Sequence, residues 1–516
     1  MHPRPLPSPA LLLLPLVGLP ALGLGLAWAD ELRYAEDQAP AIVNPLFATT
    51  MSEARVHELV FEGLYTDDKD LATRPDLAES AQLSEDRQEM TILLRGDATW
   101  HDGQPVTAAD VVFTVQAMKD GATASTEQGR VDWIDSVTAV DTRTVRLRFV
   151  RPEARPEDKL FFKILPAHRF EGGGQSSTVK RTDPFRSRPI GSGPFRLESF
   201  NDDGSISMGR YEEHRDRAGL DAVTMREVSD KNYQAKLLMY ESLEALVRVL
   251  PRDLAVLQAN RKVELYPYQT NSWWYLGFNL DRKPFDDARV RGAIARLVDV
   301  EALLAPIGTG DTLTGPFVKS SPFYNHKVQP YVPDESGAAA LLQEAGYSLT
   351  GDQWTKAGKP LTLRVSAHKS LESAQEVVIN LQSQLQGQGI TVTVDFLDEA
   401  AWRSAVWRQQ DYDVILSQWS FDRNEDVREQ FHSQGSRNFT GYQSAEVDRL
   451  LDLSRDTLDP QEKKQALRDL HARVHDDLPM VFLWTLDSYS AMAVDVRSVV
   501  IHPFYFFTWA TDWSME

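Results

Sequence analysis

The segment at 411–426, DYDVILSQWSFDRNED, constrains the fold more than any other part of this sequence. Its first half is rich in aliphatic residues, and Val414 and Leu416 lie on one face of a predicted strand with Ile415 on the other. From Trp419 onward this periodicity is lost, which predicts a loop leaving the carboxyl end of the strand. Open α/β sheets bind their ligands outside such strand ends. The segment therefore predicts an α/β protein with a candidate binding loop.

Trp419 and Asp422 give this loop the chemistry of a cation site. A carboxylate accepts charge-assisted hydrogen bonds from an ammonium group. An adjacent indole ring excludes water and adds a cation–π contribution of about 0.5 to 2 kcal/mol. Local sequence alone favours a second interpretation, an acidic solvated turn with Trp419 in the core. The rest of the chain must distinguish the two.

The length and composition of the chain indicate a globular protein with more than one core. Its 516 residues are enough for two large lobes or three domains, and 42% hydrophobic with 25% charged residues excludes a disordered chain and a multi-span membrane protein. The formal net charge is −20. Because this charge repels nucleic acids and anionic membrane surfaces at long range, we expect neither as a partner.

Residues 1–29 have the layout of a secretory signal peptide, with an apolar stretch followed by the small-residue pattern A-W-A. We expect cleavage before Asp30 and export of the mature chain. A membrane anchor is the alternative, which Pro15 and Pro20 weaken because they interrupt a helix barely long enough to span. Cysteine is absent, so we expect no disulfide framework, thioether lipid anchor, cysteine nucleophile or thiolate metal site.

The string TWHDGQPVTAADVVFTVQAM at 99–118 predicts a turn followed by a helix. Thr107 is a good N-cap, and Asp110 occupies the third helical position, as in a capping box. Val111 and Val115 then form the buried side of the helix.

This string resembles the F-H-D-G-x-P-x-T-A-x-D-V-x-F-S pattern of the extracellular solute-binding proteins of ABC importers, in the dipeptide, oligopeptide and nickel group called family 5. Four further strings resemble that family's patterns in the same order: RPIGSGPFRLESF at 188–200, YLGFNLDRKPFDDARVRGAIARLVDVEAL at 275–303, AAALLQEAGY at 338–347 and NFTGYQSAEVDRLLDLSR at 438–455. The resemblance extends from about residue 31 to the C-terminus. It identifies the chain as a member of this family.

The resemblance implies an α/β protein with the type II periplasmic binding protein fold, in which two lobes are joined by a hinge and lobe one carries an inserted subdomain. We place lobe one at 30–265, with 50–187 largely the inserted subdomain, lobe two at 268–478, and a C-terminal return to lobe one at 479–516. In such a fold a ligand in the cleft favours the closed state only through contacts with both lobes.

The resemblance also implies the role of Asp422. WSFDRNED is similar to the W-x-x-D-x-N-E string of oligopeptide-binding members, in which the aspartate holds the terminal ammonium of the peptide. Two positions depart from the family. Asp426 replaces a proline, and Arg423 lies beside the expected site, so the depth or charge of the pocket can differ.

Three more ligand contacts are expected. Lys369 follows the predicted strand LTLRVSAH, near the position where dipeptide-binding relatives use an arginine for the ligand carboxylate. A lysine is a point charge and not a bidentate fork, so a ligand without a free carboxylate also fits. Trp274 is expected on the cleft wall, and Asn44 in a loop of the first lobe.

We expect no cofactor and no metal. His471 and His475 have a spacing that can bind zinc, but neither the glutamate of an H-E-x-x-H string nor a third ligand accompanies them, so we predict a polar helix face. His432 is the alternative metal ligand, because nickel-complex-binding relatives use a histidine in this region.

Charged residues and glycines give two local predictions. In the helix expected to begin near Asp287, Arg289 and Arg291 should face outward or pair with acids. Gly191 and Gly193 should allow a tight turn that a side chain would obstruct.

The sequence contains no nucleophile elbow, Walker string or metallohydrolase motif, so we do not expect an enzyme. Together with the resemblance, it predicts a monomeric periplasmic substrate-binding protein that captures short peptides by lobe closure and delivers them to a membrane ABC permease. A nickel chelate, an opine or another small solute is the alternative ligand. An exported hydrolase is the alternative from a different class.

Overall fold

A computed structural model of the chain describes residues 30–170, 177–269, 272–371, 373–420 and 425–516. The expected signal peptide at 1–29 and the expected ligand contact Asp422 therefore lie outside the described residues. None of the helices that are described is long and apolar enough to cross a membrane.

The strands, numbered along the chain, are β1 Glu31–Glu36, β2 Tyr65–Asp67, β3 Thr73–Pro75, β4 Ala78–Leu83, β5 Glu89–Leu94, β6 Ile134–Ala139, β7 Thr144–Phe149, β8 Phe195–Phe200, β9 Ile206–Arg210, β10 Ala222–Glu227, β11 Ala245–Leu246, β12 Val263–Gln269, β13 Ser272–Phe278, β14 Gly310–Thr312, β15 Ser348–Thr350, β16 Gln353–Lys356, β17 Lys359–Pro360, β18 Thr362–His368, β19 Thr391–Leu397, β20 Val414–Ser420, β21 Met480–Phe482, β22 Trp484–Ala493, β23 Val496–Arg497 and β24 Ser514–Met515.

The helices are α1 Met51–Val60, α2 Ala108–Lys119, α3 Lys231–Met239, α4 Pro251–Gln258, α5 Ala288–Leu297, α6 Val300–Leu304, α7 Glu335–Glu344, α8 Ala374–Gly387, α9 Glu399–Trp402, α10 Arg428–Phe431, α11 Ala445–Asp456 and α12 Pro460–Asp477.

Two large mixed sheets organise the chain. The first sheet has the order β12-β22-β11-β1-β10-β9-β8, and β1 lies parallel to both β10 and β11. The second sheet has the order β19-β18-β20-β13-β21, and β18 lies parallel to both β19 and β20. Because parallel strands end on the same side, each sheet has one edge where carboxyl ends meet. Such edges are the usual ligand positions in α/β proteins.

A third sheet, of order β4-β5-β7-β6, lies in the chain between β1 and β8 and so interrupts the first sheet in sequence. One hydrophobic cluster contains residues of both sheets, including Leu32 and Phe195 from the first and Ile92 and Leu147 from the third. The inserted segment therefore packs on the core of the first sheet and does not form a core of its own.

The second sheet has a hydrophobic cluster on each face. Successive side chains of a strand point to opposite faces, and in β13 this places Trp274 in the cluster with α5 and α8 and Trp273 in the cluster with α11 and α12. Both tryptophans are buried.

The predicted strand within 411–426 is confirmed as β20, but its end is later than expected. The sequence predicted a loop from Trp419 onward, whereas the strand continues to Ser420. The reason is pairing with β13 along the whole of β20, including Trp273 opposite Trp419 and Ser272 opposite Ser420. Local periodicity does not report the partner strand.

The capping box expected at α2 is confirmed. Asp110 Oδ2 accepts hydrogen bonds from the backbone N–H of Thr107 at 2.8 Å and from its hydroxyl at 2.9 Å. Asp110 Oδ1 also accepts from the backbone N–H of Ala167 at 2.7 Å. The same carboxylate thus fixes the start of the helix and a loop distant in sequence.

The glycines at 191 and 193 are required by close packing. A Cβ on Gly191 would lie 1.8 Å from the carbonyl oxygen of Val60, and one on Gly193 would lie 2.7 Å from that of Leu59. The backbone N–H of Gly193 donates to Val60 O at 2.9 Å. The segment therefore lies directly against the end of α1, where no side chain fits.

Arg291 does not face outward, so that prediction is wrong. Only 6% of the residue is exposed. Its guanidinium donates hydrogen bonds to the backbone carbonyls of Leu478, Phe285 and Asp477 at 2.7 to 2.8 Å. The arginine satisfies the carbonyls at the end of α12, a use that local sequence cannot indicate. Arg289 is exposed and paired with Asp287, as predicted.

Candidate functional site

The carboxyl-end edge of the second sheet brings together two of the expected site segments. β18 ends at His368 and β20 at Ser420, and the parallel register places Ala367 beside Leu416. Lys369 therefore follows one strand end, while Trp419 lies at the end of the adjacent strand. The segment that carries Asp422 follows Ser420 in the chain.

Trp419 is half-buried and packs at the margin of the cluster that contains Trp273. The guanidinium of Arg437 lies 5.4 Å from the centre of its ring. The indole nitrogen is buried and has no hydrogen-bond partner among the described residues. One ring face thus already carries a cation that belongs to the protein, and the contact of Trp419 with a ligand stays a prediction.

Glu425 is the first described residue after that segment. Its backbone has φ of 49°, in the left-handed region, and its carboxylate accepts a hydrogen bond from the Ser321 hydroxyl. Burial raises the pKa of Glu425 to about 7. A carboxyl group that titrates near neutrality beside an expected ligand loop is a candidate functional group. Sequence reasoning treated it only as part of a motif.

Lys369 is exposed at the edge and forms no ion pair among the described residues, but after the backbone N–H of Ala401 its charge helps to lower the pKa of Asp398. The backbone N–H of Lys369 donates to Leu397 O at 2.8 Å, which anchors the start of the loop to β19. Contact of the Lys369 side chain with a ligand carboxylate stays a prediction.

Trp274 lies deeper than the cleft wall at which it was expected. Only 2% of it is exposed, and its ring stacks on Trp484 with 5.9 Å between ring centres and 29° between planes. Its indole nitrogen lacks a hydrogen-bond partner among the residues described. The structure gives it a packing role, and ligand contact stays a prediction.

Asn44 is buried, with 1% of the residue exposed. Its Oδ1 accepts from the backbone N–H of Leu46 at 3.0 Å and so caps the short 3-10 helix Pro45–Phe47. Its Nδ2 has no hydrogen-bond partner in the described ranges. The helix cap accounts for Oδ1 of Asn44 but not for Nδ2. The expected ligand contact of Asn44 stays a prediction.

The first sheet has a polar cavity of about 260 Å³ at its own carboxyl-end edge, where β1 and β11 end against α1. Charged side chains line it: Glu36, Asp37, Arg55, Lys231 and Arg248. Arg55 Nη1 donates to both oxygens of Glu36 at 2.7 and 2.9 Å, while burial raises the pKa of that carboxyl. Sequence reasoning missed this group. The sequence feature that could have indicated it is the acidic pair Glu36 and Asp37, at the end of the first predicted strand.

The predicted polar face with His471 and His475 is wrong, because 0% and 9% of these residues are exposed. The His471 ring lies 2.9 Å from Thr314 Oγ1, and burial lowers its pKa to about 3. His475 stacks on Tyr331 with 4.4 Å between ring centres, and burial lowers its pKa as well. Both histidines are therefore core residues, and burial favours their neutral form.

His432, the alternative metal ligand, is half-buried. Its Nδ1 accepts from the backbone N–H of Gln434 at 3.1 Å and lies 3.9 Å from Asp448 Oδ1. No group of three or more His, Cys, Asp or Glu side chains suited to a metal ion occurs among the described residues.

Comparison with known proteins decides the family. The model for bacterial extracellular solute-binding proteins, family 5 Middle, matches residues 72–440. The chain belongs to this family. Its members are solute-binding transport proteins found in the periplasm or outside the cell, and the recognition made from the sequence strings is confirmed.

Relatives of this family 5 protein align along nearly its whole length. The oligopeptide-binding protein AppA of Bacillus subtilis is 23% identical over 489 residues, which is 90% of this chain and 88% of AppA. The glutathione-binding protein GsiB of Escherichia coli O1:K1 is 25% identical over 509 residues, 94% of this chain and 96% of GsiB.

Solved structures confirm the predicted fold class, a two-lobed α/β protein of the type II periplasmic binding fold. AppA of B. subtilis in complex with a nonapeptide superposes with a TM-score of 0.78 at 22% identity, covering 94% of this chain and 99% of AppA. NikZ from Campylobacter jejuni in complex with Ni(L-His) has a TM-score of 0.78 at 25% identity, with the same coverage of both chains. The two large sheets described above are the cores of the two lobes.

Proposed function

We propose that this family 5 protein captures a short peptide in the periplasm and delivers it to a membrane ABC permease. The observation that carries the proposal is the edge of the second sheet, where Lys369 and the end of β20 lie on adjacent parallel strands. A peptide has an ammonium and a carboxylate: Lys369 suits the carboxylate, and Asp422, which follows β20 in sequence, is the proposed partner of the ammonium. Relatives named for oligopeptide and glutathione binding support a peptide ligand.

Asp422 is the proposed partner of the peptide ammonium, with Trp419 beside it. This role rests on the match of WSFDRNED to the string of oligopeptide-binding members. Lys369 is the proposed partner of a carboxylate, supported by its exposed and unpaired ammonium. The peptide backbone would pair with strand edges, as extended peptides do. Contacts with both lobes would favour the closed state.

The proposal also includes export of the protein, its monomeric state and the absence of catalytic activity. Residues 1–29 would be a signal peptide cleaved before Asp30, and the mature protein would act as a periplasmic monomer without catalytic activity. The net charge of −20 supports the absence of nucleic acid as a partner.

A nickel chelate is the second candidate ligand. The likeness to NikZ in complex with Ni(L-His) favours it, and His432 would be the protein's metal ligand. An opine or another small solute fits the same two-lobed frame.

The ligand retained on purification from the native host tests the proposal. We expect native mass spectrometry to find an intact short peptide, and added peptides to raise the melting temperature without being cleaved. A retained metal chelate would favour the second candidate, and cleavage of added peptides would favour a hydrolase.

Substitution of Asp422 tests the site itself. Asp422→Ala should weaken binding of an amine-bearing peptide by about 3 to 5 kcal/mol, because a buried ammonium would be left unpaired. Isothermal titration calorimetry measures this, with the exposed Asp286→Ala as the matched control. Equal affinity of wild type and Asp422→Ala would remove the proposed role.

A further inference from the structure

A cavity of about 780 Å³ lies between the inserted subdomain of lobe one and the helices of lobe two. Residues between 129 and 159 line one side, and residues between 322 and 467 line the other. The volume falls in the range of about 300 to 1,000 Å³ that is usual for small-molecule sites. A ligand here would touch both lobes, which is the condition for favouring closure.

The lining is rich in positive charge, although the whole chain is acidic. Seven lining residues are basic: Arg130, Arg155, Lys159, Arg428, Arg455, Lys463 and Lys464. Five are acidic: Glu153, Asp158, Glu425, Asp426 and Asp459. With a net charge of −20 for the chain, this concentration of cations marks the cavity as a place suited to an anionic group.

The acidic side chains in the cavity already have partners within the protein. Glu153 pairs with Lys159 at 2.5 Å and Asp158 with Arg155 at 2.9 Å. Asp459 caps α12 by accepting from the backbone N–H of Gln461 at 2.8 Å. These three carboxylates therefore have direct partners of their own within the protein.

Two lysines near the amino-terminal end of α12, Lys463 and Lys464, line the cavity. Neither Lys463 nor Lys464 forms an ion pair with any residue that the structure describes. Burial, followed by the charge of Lys159, lowers the pKa of Lys463, and the charges of Asp426, Asp158 and Glu153 offset only part of that effect. The amino-terminal end of a helix adds a partial positive charge at the same place.

Arg428 provides a second, independent sign of a missing anion. Its Nη2 donates to Asp452 at 2.8 Å, but its buried Nη1 has no hydrogen-bond partner in the described part of the chain. A buried guanidinium nitrogen without a hydrogen-bond partner is unfavourable. A ligand carboxylate in the cavity would satisfy it.

We propose that this cavity binds a carboxylate of the peptide ligand through Lys463 and Lys464, with Arg428 beside them. The inference rests on the proposed peptide-binding function. Glu425, on the cavity wall, is the first described residue after the segment that carries Asp422. Trp133 and Phe323 also line the cavity and are available to the side chains of the peptide.

The carboxylate can come from the peptide terminus or from an acidic side chain, and the probes separate these sources. They are tri- to penta-alanine as free acids, the same peptides as carboxyl-terminal amides, and amides whose last residue is glutamate. Calorimetry would compare the wild type, the double variant Lys463→Gln/Lys464→Gln, the edge variant Lys369→Gln and the exposed control Lys359→Gln.

We expect the wild type to bind the free acid about tenfold more tightly than the amide, because a carboxylate paired with cations is lost in the amide. The double variant should reduce this ratio to about twofold or less while leaving the affinity for the amide unchanged. Lys359→Gln should keep the wild-type ratio, and Lys369→Gln tests whether the carboxylate instead lies at the edge of the second sheet. A glutamate amide that binds like the free acid would identify a side-chain carboxylate as sufficient.

An unchanged ratio in the double variant would overturn the inference, and loss of the ratio in Lys369→Gln would place the carboxylate at the edge of the second sheet. Both results would leave the peptide-binding function intact. Failure of every alanine probe to bind the wild type would overturn that function, and this inference with it. Thermal melts of each variant would verify that folding is preserved.

Discussion

Individual residues of this protein often have roles that only their distant partners explain. Arg291 and His471 lie in strings whose local chemistry predicts exposure, yet both are buried. The arginine meets the last carbonyls of α12, and the histidine meets Thr314, 157 positions away in sequence. Local sequence predicts polarity, but the hydrogen-bond partner that permits burial comes from elsewhere in the chain.

Arg291→Met should destabilise the protein by about 2 to 4 kcal/mol, because it leaves buried carbonyl groups without donors. Arg289→Met, two positions away, removes an exposed pair with Asp287 and should cost at most about 1 kcal/mol. Urea denaturation followed by tryptophan fluorescence measures both. Similar midpoints for the two variants would contradict the assigned role of Arg291.

Glu425 should make the stability of the protein depend on pH. Its pKa is raised from 4.5 to about 7 in the folded state, so the folded protein holds this proton more tightly than the unfolded chain does. The resulting stabilisation is complete below pH 4.5 and is lost as the pH rises through 7.

Glu425→Gln removes this titration while it keeps an acceptor for Ser321. Between pH 4.5 and 7.5, the free energy of unfolding of the wild type should fall relative to the variant by about 1 to 3 kcal/mol. The wild type is compared with the variant because the pKa of Asp76 is also raised to about 7. Asp76 titrates in both proteins, so its contribution cancels in the difference. Parallel stability profiles would contradict the assignment.

At the scale of helices and strands, the sequence was a better guide where the signal was local. The capping box of α2 and the strand β20 are confirmed because adjacent residues suffice to produce them. The end of β20 and the depth of Trp274 depend on pairing and stacking with β13 and Trp484. Of the expected site, the structure brings Lys369 and Trp419 to one edge, while Asp422 lies outside the described residues.

The close approach of Gly191 to α1 gives a prediction at this scale. Gly191→Ala should destabilise the protein by about 3 kcal/mol, because the added Cβ collides with a backbone oxygen that cannot move away easily. Gly121→Ala is the matched control, since nothing lies within 4 Å of its added Cβ. Thermal unfolding measures the difference. A Gly191→Ala variant as stable as the control would show that α1 can shift.

In the whole molecule, an ion pair connects the segment after β7 to the end of α11. Arg151 Nη1 lies 3.0 Å from Asp456 Oδ1, and 55% and 50% of the two side chains are exposed. Exposed pairs contribute about 0 to 1 kcal/mol. We expect Arg151→Ala to change the peptide dissociation constant by less than about fivefold. Calorimetry at low salt measures this dissociation constant. A larger loss of affinity would show that the ion pair stabilises the ligand-bound protein.

Strand β22 belongs to both halves of the molecule. Trp484 lies in a hydrophobic cluster of the second sheet, whereas the residues from Asp487 to Ala493 pair with β12 of the first sheet. A hydrogen-bonded strand can bend and twist, but it cannot lengthen. Movement of one half against the other must therefore be rotation about a few peptide units near Leu486, with the distance between the halves at that point held constant.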